Sequence, residues 1–208
     1  MLINPLLKQL PKTSKEYLFK QRNKHFEIVI CPFCTQDAQE IYSTVETSFE
    51  HLKRFILQNQ EIRLEQIQQG TKQAEFDWDN GKNYYFSVKN KLTKQIVGNV
   101  LLSEVNQVHR YAKFGCWFSK DVLGTKISIL SCLDVLLRGF ELGLMRIEMV
   151  IDINNKASLN AIKRLPVHYE CLMRNRLSIA NECFDAHMFA ITPSDIPTIH
   201  QWINDIIA

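Results

Sequence analysis

No stretch of this chain approaches the roughly 20 consecutive apolar residues that a bilayer-crossing helix needs, so no membrane partner is expected. The segment from Met1 to Lys20 lacks a clean apolar core and a small-residue cleavage site, which argues against a secretion signal. Cysteine is sparse and scattered: six in 208 residues are too few for a disulfide framework. Charge of one sign is lacking too. Lys and Arg number 25 against 22 Asp and Glu, and a net +3 is too small to indicate nucleic acid. The six histidines show no spacing that suggests metal ligands or a catalytic triad. These absences together lead us to expect a cytoplasmic protein with reduced thiols and no metal.

What is present is ordinary for a globular chain, with 46% hydrophobic and 23% charged residues. That balance excludes disordered, collagen-like and low-complexity chains. At roughly 100–200 residues per domain, the length allows one domain with short appendages. We divide the chain into an N-terminal extension, 1–24, with Pro5, Pro11 and at most one short helix, and a domain over 25–208.

The domain begins with a strand over His25–Cys31. Apolar residues at spacings of three and four predict a helix from about Thr35 to Ile56. A second helix follows from about Gln60 to Gln69, ended by Gly70. Asn80-Gly81 marks a turn, and after it the hydrophobic period changes to two. Strands over Tyr84–Val88, Gln95–Val105 and Tyr111–Ser119 make an antiparallel meander. Ile127–Leu142 is the strongest helix, with an apolar stripe through Ile129, Leu130, Leu133, Leu136, Leu137 and Phe140. Ser131, Asp134, Arg138 and Glu141 are expected to face away, and Gly143 to cap the end. Next come a strand over Met145–Ile151 and a short helix capped by Asn154 or Asn155 and stopped by Pro166. Strands over His168–Leu177 and Cys183–Ile191 follow, then a last helix capped by Ser194 with Pro197 in its first turn. The order predicts an α/β (α+β) fold, a mixed sheet with helices on its faces.

Three motifs carry potential chemistry. Cys31-Pro32-Phe33-Cys34 stands where a strand meets a helix, whose N-terminus lowers a thiol pKa in redox proteins. The alternative is two buried thiols that share a turn. Zinc would need a second pair, and Cys116, Cys132, Cys171 and Cys183 stand singly. The loop Val122–Ile127 presents backbone amides at a helix start, an anion site to which Lys126 adds charge, or else an ordinary turn. Asn154 to Ser158 opens a helix after a strand, with Ser158 in its first turn near the sheet edge. Asp185 and His187 share a strand face and read as a surface pair.

Read in order, these pieces resemble the GNAT acetyltransferase superfamily, in its RimJ/RimL-like branch, over residues about 25–192. The resemblance is carried by Cys31-Pro32 through Asp37-Ala38, by Ile96-Val97-Gly98-Asn99-Val100, and by Gly115-Cys116-Trp117-Phe118. It continues in Phe140 through Glu148, in Asp152-Ile153-Asn154-Asn155-Lys156-Ala157-Ser158, and in Leu165, Glu170, Asp185 and Met188. It implies a twisted mixed sheet that splays open between its middle strands, where acetyl-CoA enters as co-substrate. It implies that the pantetheine arm pairs with the strand bearing Trp117 and Phe118, and that the pyrophosphate rests on Leu123, Gly124, Thr125, Lys126 and Ile127. Asn155 would help to hold the cofactor. Lys126 stands where the family pattern has a second small residue, and there it either crowds the phosphates or pairs with them. The hydroxyl and carboxylate usual after Ile127 are replaced by Ile129 and Leu130. The resemblance places Ser158 beside the leaving sulfur and matches Glu170 to a common family glutamate; Glu170 and Glu104 are the two candidate bases. It assigns Cys31–Ala38 to the acceptor side and not to thiol chemistry. The acceptor is expected to be a protein N-terminus or a small amine, and the protein a homodimer. The other reading is a non-catalytic GNAT-fold module for acyl-CoA or a protein partner.

Overall fold

Side chains that alternate between buried and exposed build most of the sheet, and stripes at helical spacing bury the helices against it. The computed structural model describes residues 7–21, 24–53, 61–179 and 182–208. The strands are β1 (Lys15–Gln21), β2 (Lys24–Pro32), β3 (Tyr84–Asn90), β4 (Ile96–Asn106), β5 (Tyr111–Phe118), β6 (Arg146–Asp152), β7 (His168–Ile179) and β8 (Glu182–Ile191). The helices are α1 (Ala38–Thr47), α2 (Phe49–Leu52), α3 (Leu64–Asp79), α4 (Lys126–Leu142), α5 (Lys156–Ile162) and α6 (Ile196–Ile207). One sheet holds all eight strands in the order β1-β2-β3-β4-β5-β6-β8-β7. The expected mixed fold is therefore present, with a single parallel pair, β5 and β6, at its middle.

The main core lies between the sheet and α4, around Phe86, Val100, Leu102, Leu130, Leu133, Leu136 and Ile147. A smaller core holds α1 against β4 through Ile41, Val45 and Ile96, with Trp117 packed on it. Gly98 is required where β4 passes β5. A Cβ there would lie 2.3 Å from the Phe118 ring and 2.8 Å from the Trp117 carbonyl oxygen.

Several elements differ from the sequence expectation. The short helix expected within 1–24 is replaced by β1, antiparallel to β2 from Lys15↔Ile30 to Gln21↔Lys24. Its pattern buries Tyr17 and Phe19 while Leu18 stays exposed. The helix expected from Thr35 is broken after Thr47, and its far end lies outside the described residues. Gly70 does not end a helix: α3 continues to Asp79, where Gly81, at φ +65°, makes the turn. Gly143 caps α4 in the left-handed conformation, as expected. Thr192 and Asp195, not Ser194, form the reciprocal cap before α6, with Asp195 accepting from Thr192 N–H at 2.9 Å.

The polar side of α4 is also covered. Ser131, Asp134 and Arg138 are buried beneath the N-terminal segment and α6. Asp134 accepts from Tyr17 Oη at 2.7 Å, Arg138 Nε at 2.8 Å and Lys15 Nζ at 3.1 Å. Burial first, and then the Asp134 carboxylate, push the Tyr17 phenol far up, so it stays a donor. Arg138 Nη1 donates to Thr13 O at 3.2 Å, Lys8 N–H to Leu142 O at 2.9 Å, and Trp78 Nε1 to Leu10 O at 3.2 Å. The N-terminal segment is thereby strapped across α4 and α3. No helix among the described residues is long and apolar enough to cross a membrane.

Candidate active site

The sheet opens at its centre. β5 and β6 pair only at Tyr111↔Arg146, Ala112↔Ile147 and Lys113↔Glu148. Beyond Lys113, β5 keeps its bonds to β4 through Phe118, and β6 keeps its bonds to β8 through Asp152. Each strand thus turns one edge of its peptide groups toward the other without pairing. Such an edge inside a sheet accepts an extended ligand that carries its own amide groups. Trp117 and Phe118 lie on the β5 side of this split, on opposite faces: the Trp117 ring packs toward α1 and Phe118 into the main core. Their backbone, not their rings, borders the opening.

Beyond β5 the chain turns through Lys120–Val122 and enters α4. Gly124 has φ +72°, which the loop needs to redirect the chain, and no atom lies within 4 Å of where its Cβ would be. Thr125 is the N-cap, its Oγ1 accepting from Ile127 N–H at 3.3 Å and donating to Val122 O at 2.7 Å. Leu123 N–H donates to Lys120 O and Thr125 N–H to Val122 O. Lys126 is engaged through both its backbone amide and its ammonium. Its Nζ donates to Ile206 O at 3.2 Å and its N–H to Gln21 Oε1 at 2.8 Å.

At the end of β6, Asn155 Oδ1 accepts from Ser158 N–H at 3.0 Å and sets the first turn of α5. Ser158 is half-buried there. Asp152 closes the strand. Its Oδ1 accepts from Asn154 N–H at 2.7 Å, while its buried Oδ2 has no partner among the described residues. Ser119 Oγ, just past β5, is likewise buried without a partner. Sequence reasoning gave neither residue a role. The unpartnered atoms, not the residue types, mark them, and burial is invisible in sequence.

Glu170 is ion-paired. Arg146 holds it in a fork, Nη1 to Oε1 at 2.7 Å and Nη2 to Oε2 at 2.5 Å, while Arg146 Nε bonds Glu148 at 2.7 Å. The Arg146 hydrogen bonds hold the Glu170 carboxyl below its usual range. Arg146 lies opposite Tyr111, at the end of the seam where the strands still pair. Glu104 is exposed and ion-paired with Lys113.

Cys31 and Cys34 are free. Burial pushes both thiols up, the reverse of an activated pair. Cys31 is directly opposite Ser87, Ser87 opposite Asn99, and Asn99 opposite Trp117. Along this row Asp37 accepts from Lys89 Nζ at 2.6 Å and Ser87 Oγ at 3.2 Å. The cysteines belong to a polar row under the start of α1. Cys31 to Ala38 does connect the strand to the helix.

A sheet split between its parallel central strands, with a helix start following β5, suits an extended ligand that carries amide groups and ends in an anion. The profile of the acetyltransferase (GNAT) domain matches residues 27–166, and the chain belongs to that family, whose acetyl donor, acetyl-CoA, is its co-substrate. No curated protein matches it. Among solved structures it is similar to Mycobacterium smegmatis RimJ in complex with CoA-disulfide. The TM-score is 0.78 at 16% identity, covering 93% of this chain and 95% of that one. It is similar to a ribosomal-protein-S5-alanine acetyltransferase from Vibrio fischeri, with TM-score 0.71, 18% identity and coverage of 86% and 97%. A Salmonella typhimurium acetyltransferase that modifies the N-terminal serine of a 50S ribosomal subunit protein gives TM-score 0.72 at 14% identity, covering 79% and 94%.

Proposed function

We propose that this acetyltransferase acts on the α-amino group of a protein N-terminus, with the donor's pantetheine arm laid along the unpaired edge of β5. The split between β5 and β6 carries this reading, since only three pairs join the two strands. The likeness to structures named as ribosomal-protein acetyltransferases supports the choice of acceptor.

The chemistry asks little of the side chains. An α-amino group has a pKa of roughly 7.7–8.0, so an appreciable fraction is already neutral near pH 7 and a modest base suffices. The amine nitrogen bonds to the acetyl carbon, the C–S bond breaks to release the thiolate, and the amine passes its proton to solvent water. An unpaired N–H of β5 near Trp117 or Phe118 stabilises the developing oxyanion. Asn155 fixes the turn that carries Ser158, and the Ser158 hydroxyl donates a hydrogen bond to the departing sulfur. A thiol pKa of about 8.5 makes that sulfur a good leaving group without full proton transfer.

The test is calorimetric titration with acetyl-CoA, followed by acetylation of peptides with free or blocked N-termini and of a polyamine, read by mass spectrometry. Transfer to the free N-terminus and not to the blocked lysine-containing peptide is the expected result. Transfer confined to the polyamine overturns the acceptor assignment.

A further inference from the structure

The first amides of a helix ordinarily wait for water or an anion. At the start of α4 the first of them, Lys126 N–H, is satisfied by a distant part of the same chain, while Thr125 caps Ile127 N–H. Gln21, 105 residues away on β1, places Oε1 at 2.8 Å from Lys126 N. The Lys126 ammonium is drawn to Ile206 O, in the last turn of α6, where a helix dipole favours a cation. Gln21 is held in this place by design of the surrounding structure. Tyr17 of the same strand bonds Asp134 of the same helix. Four residues of strand and eight of helix each span about 12–13 Å, so the two contacts are in step.

One N–H serves one good acceptor at a time. A phosphate oxygen reaching Lys126 N–H must therefore displace the Gln21 carbonyl oxygen. We propose that Gln21 is an intramolecular competitor for the pyrophosphate of CoA, so that β1, outside the matched family segment, sets the affinity for the acetyl donor. The inference rests on the acetyl-CoA reading above. It makes Gln21 a residue that lowers donor affinity while satisfying Lys126 N–H.

Calorimetry of the full chain with CoA tests this on wild type, Gln21→Ala and Gln21→Glu, with thermal melting to show that each is folded. Removing a neutral hydrogen-bonding competitor should tighten CoA about three- to tenfold in Gln21→Ala. Gln21→Glu keeps the shape but sets a negative charge against the phosphates, and should weaken CoA about tenfold or more. Acetyl-pantetheine, which lacks the pyrophosphate, should show an unchanged donor KM in Gln21→Ala. Binding seen only in Gln21→Ala also supports the competitor. Wild-type binding with no tightening in Gln21→Ala overturns the competitor and leaves the acetyl-CoA reading standing. An equal effect on acetyl-pantetheine overturns the pyrophosphate assignment. Binding by none of the three proteins overturns the donor reading and the competitor together.

Discussion

Asp134→Ala removes the single carboxylate on which three donors converge. Its side chain is 1% exposed, and that of Arg138, one turn on, is 9% exposed. Breaking a buried pair by deleting one partner typically costs about 3–5 kcal/mol, because the other charge stays buried and uncompensated. Arg138 keeps its bond to Thr13 O and lies 5.3 Å from the centre of the Phe86 ring. The loss should therefore fall near the lower end, about 3 kcal/mol. Tyr17 and Lys15 lose the same acceptor, so β1 should fray before the rest of the sheet melts. Urea denaturation of Asp134→Ala, Arg138→Met and the double variant measures the coupling, and hydrogen exchange locates it. The double variant should recover part of the loss, since replacing both charges leaves none unpaired. A loss under about 1 kcal/mol, or strict additivity of the two substitutions, would refute the argument that the pair is a buried, coupled unit.

Gly98→Ala should destabilise by about 1–3 kcal/mol or more, read as a lower urea midpoint, because the added methyl meets the Phe118 ring and a backbone oxygen that cannot step aside. Glu170→Gln should leave acetyl transfer intact in a kinetic assay. Because the folded carboxyl is lowered, its stabilisation is full above the unfolded glutamate value of about 4.3 and is lost as pH falls through the folded value. Acid melts should differ between wild type and Glu170→Gln by less than about 1 kcal/mol, since the pair is solvent-screened. Cys31 and Cys34 should alkylate slowly at pH 7 beside the exposed Cys171 and Cys183, as mass mapping would show. Ser158→Ala should lower kcat about tenfold with acetyl-CoA KM unchanged in steady-state kinetics, if its hydroxyl meets the sulfur only at the transition state.

Local signals were legible where the physics is local. The apolar stripe of α4 with Gly143 behind it, the period-two run of β3 to β5 after Asn80-Gly81, and the Asn155 cap of α5 all emerge within a few residues of chain. Gly70 misled because helix propensity is a weak term. Ile67, Thr71, Ala74 and Trp78 stay on one face across it, and their packing outweighs the glycine. β1 had its alternation in Tyr17, Leu18 and Phe19, overshadowed by the prolines and basic residues around it.

By itself the sequence determined the order of elements from β3 to α6 and the family pattern, since each is written in spacings of two to four residues. Only the tertiary structure decided how the charges are used. Asp134 and Arg138, polar residues on what reads as a solvent face, are buried because β1 brings Tyr17 and Lys15 to them. Glu170 is spent on Arg146, and Lys126 on Gln21 and Ile206. A hydrogen bond forms with whichever partner the fold brings within about 3 Å, and no local pattern records a partner a hundred residues away.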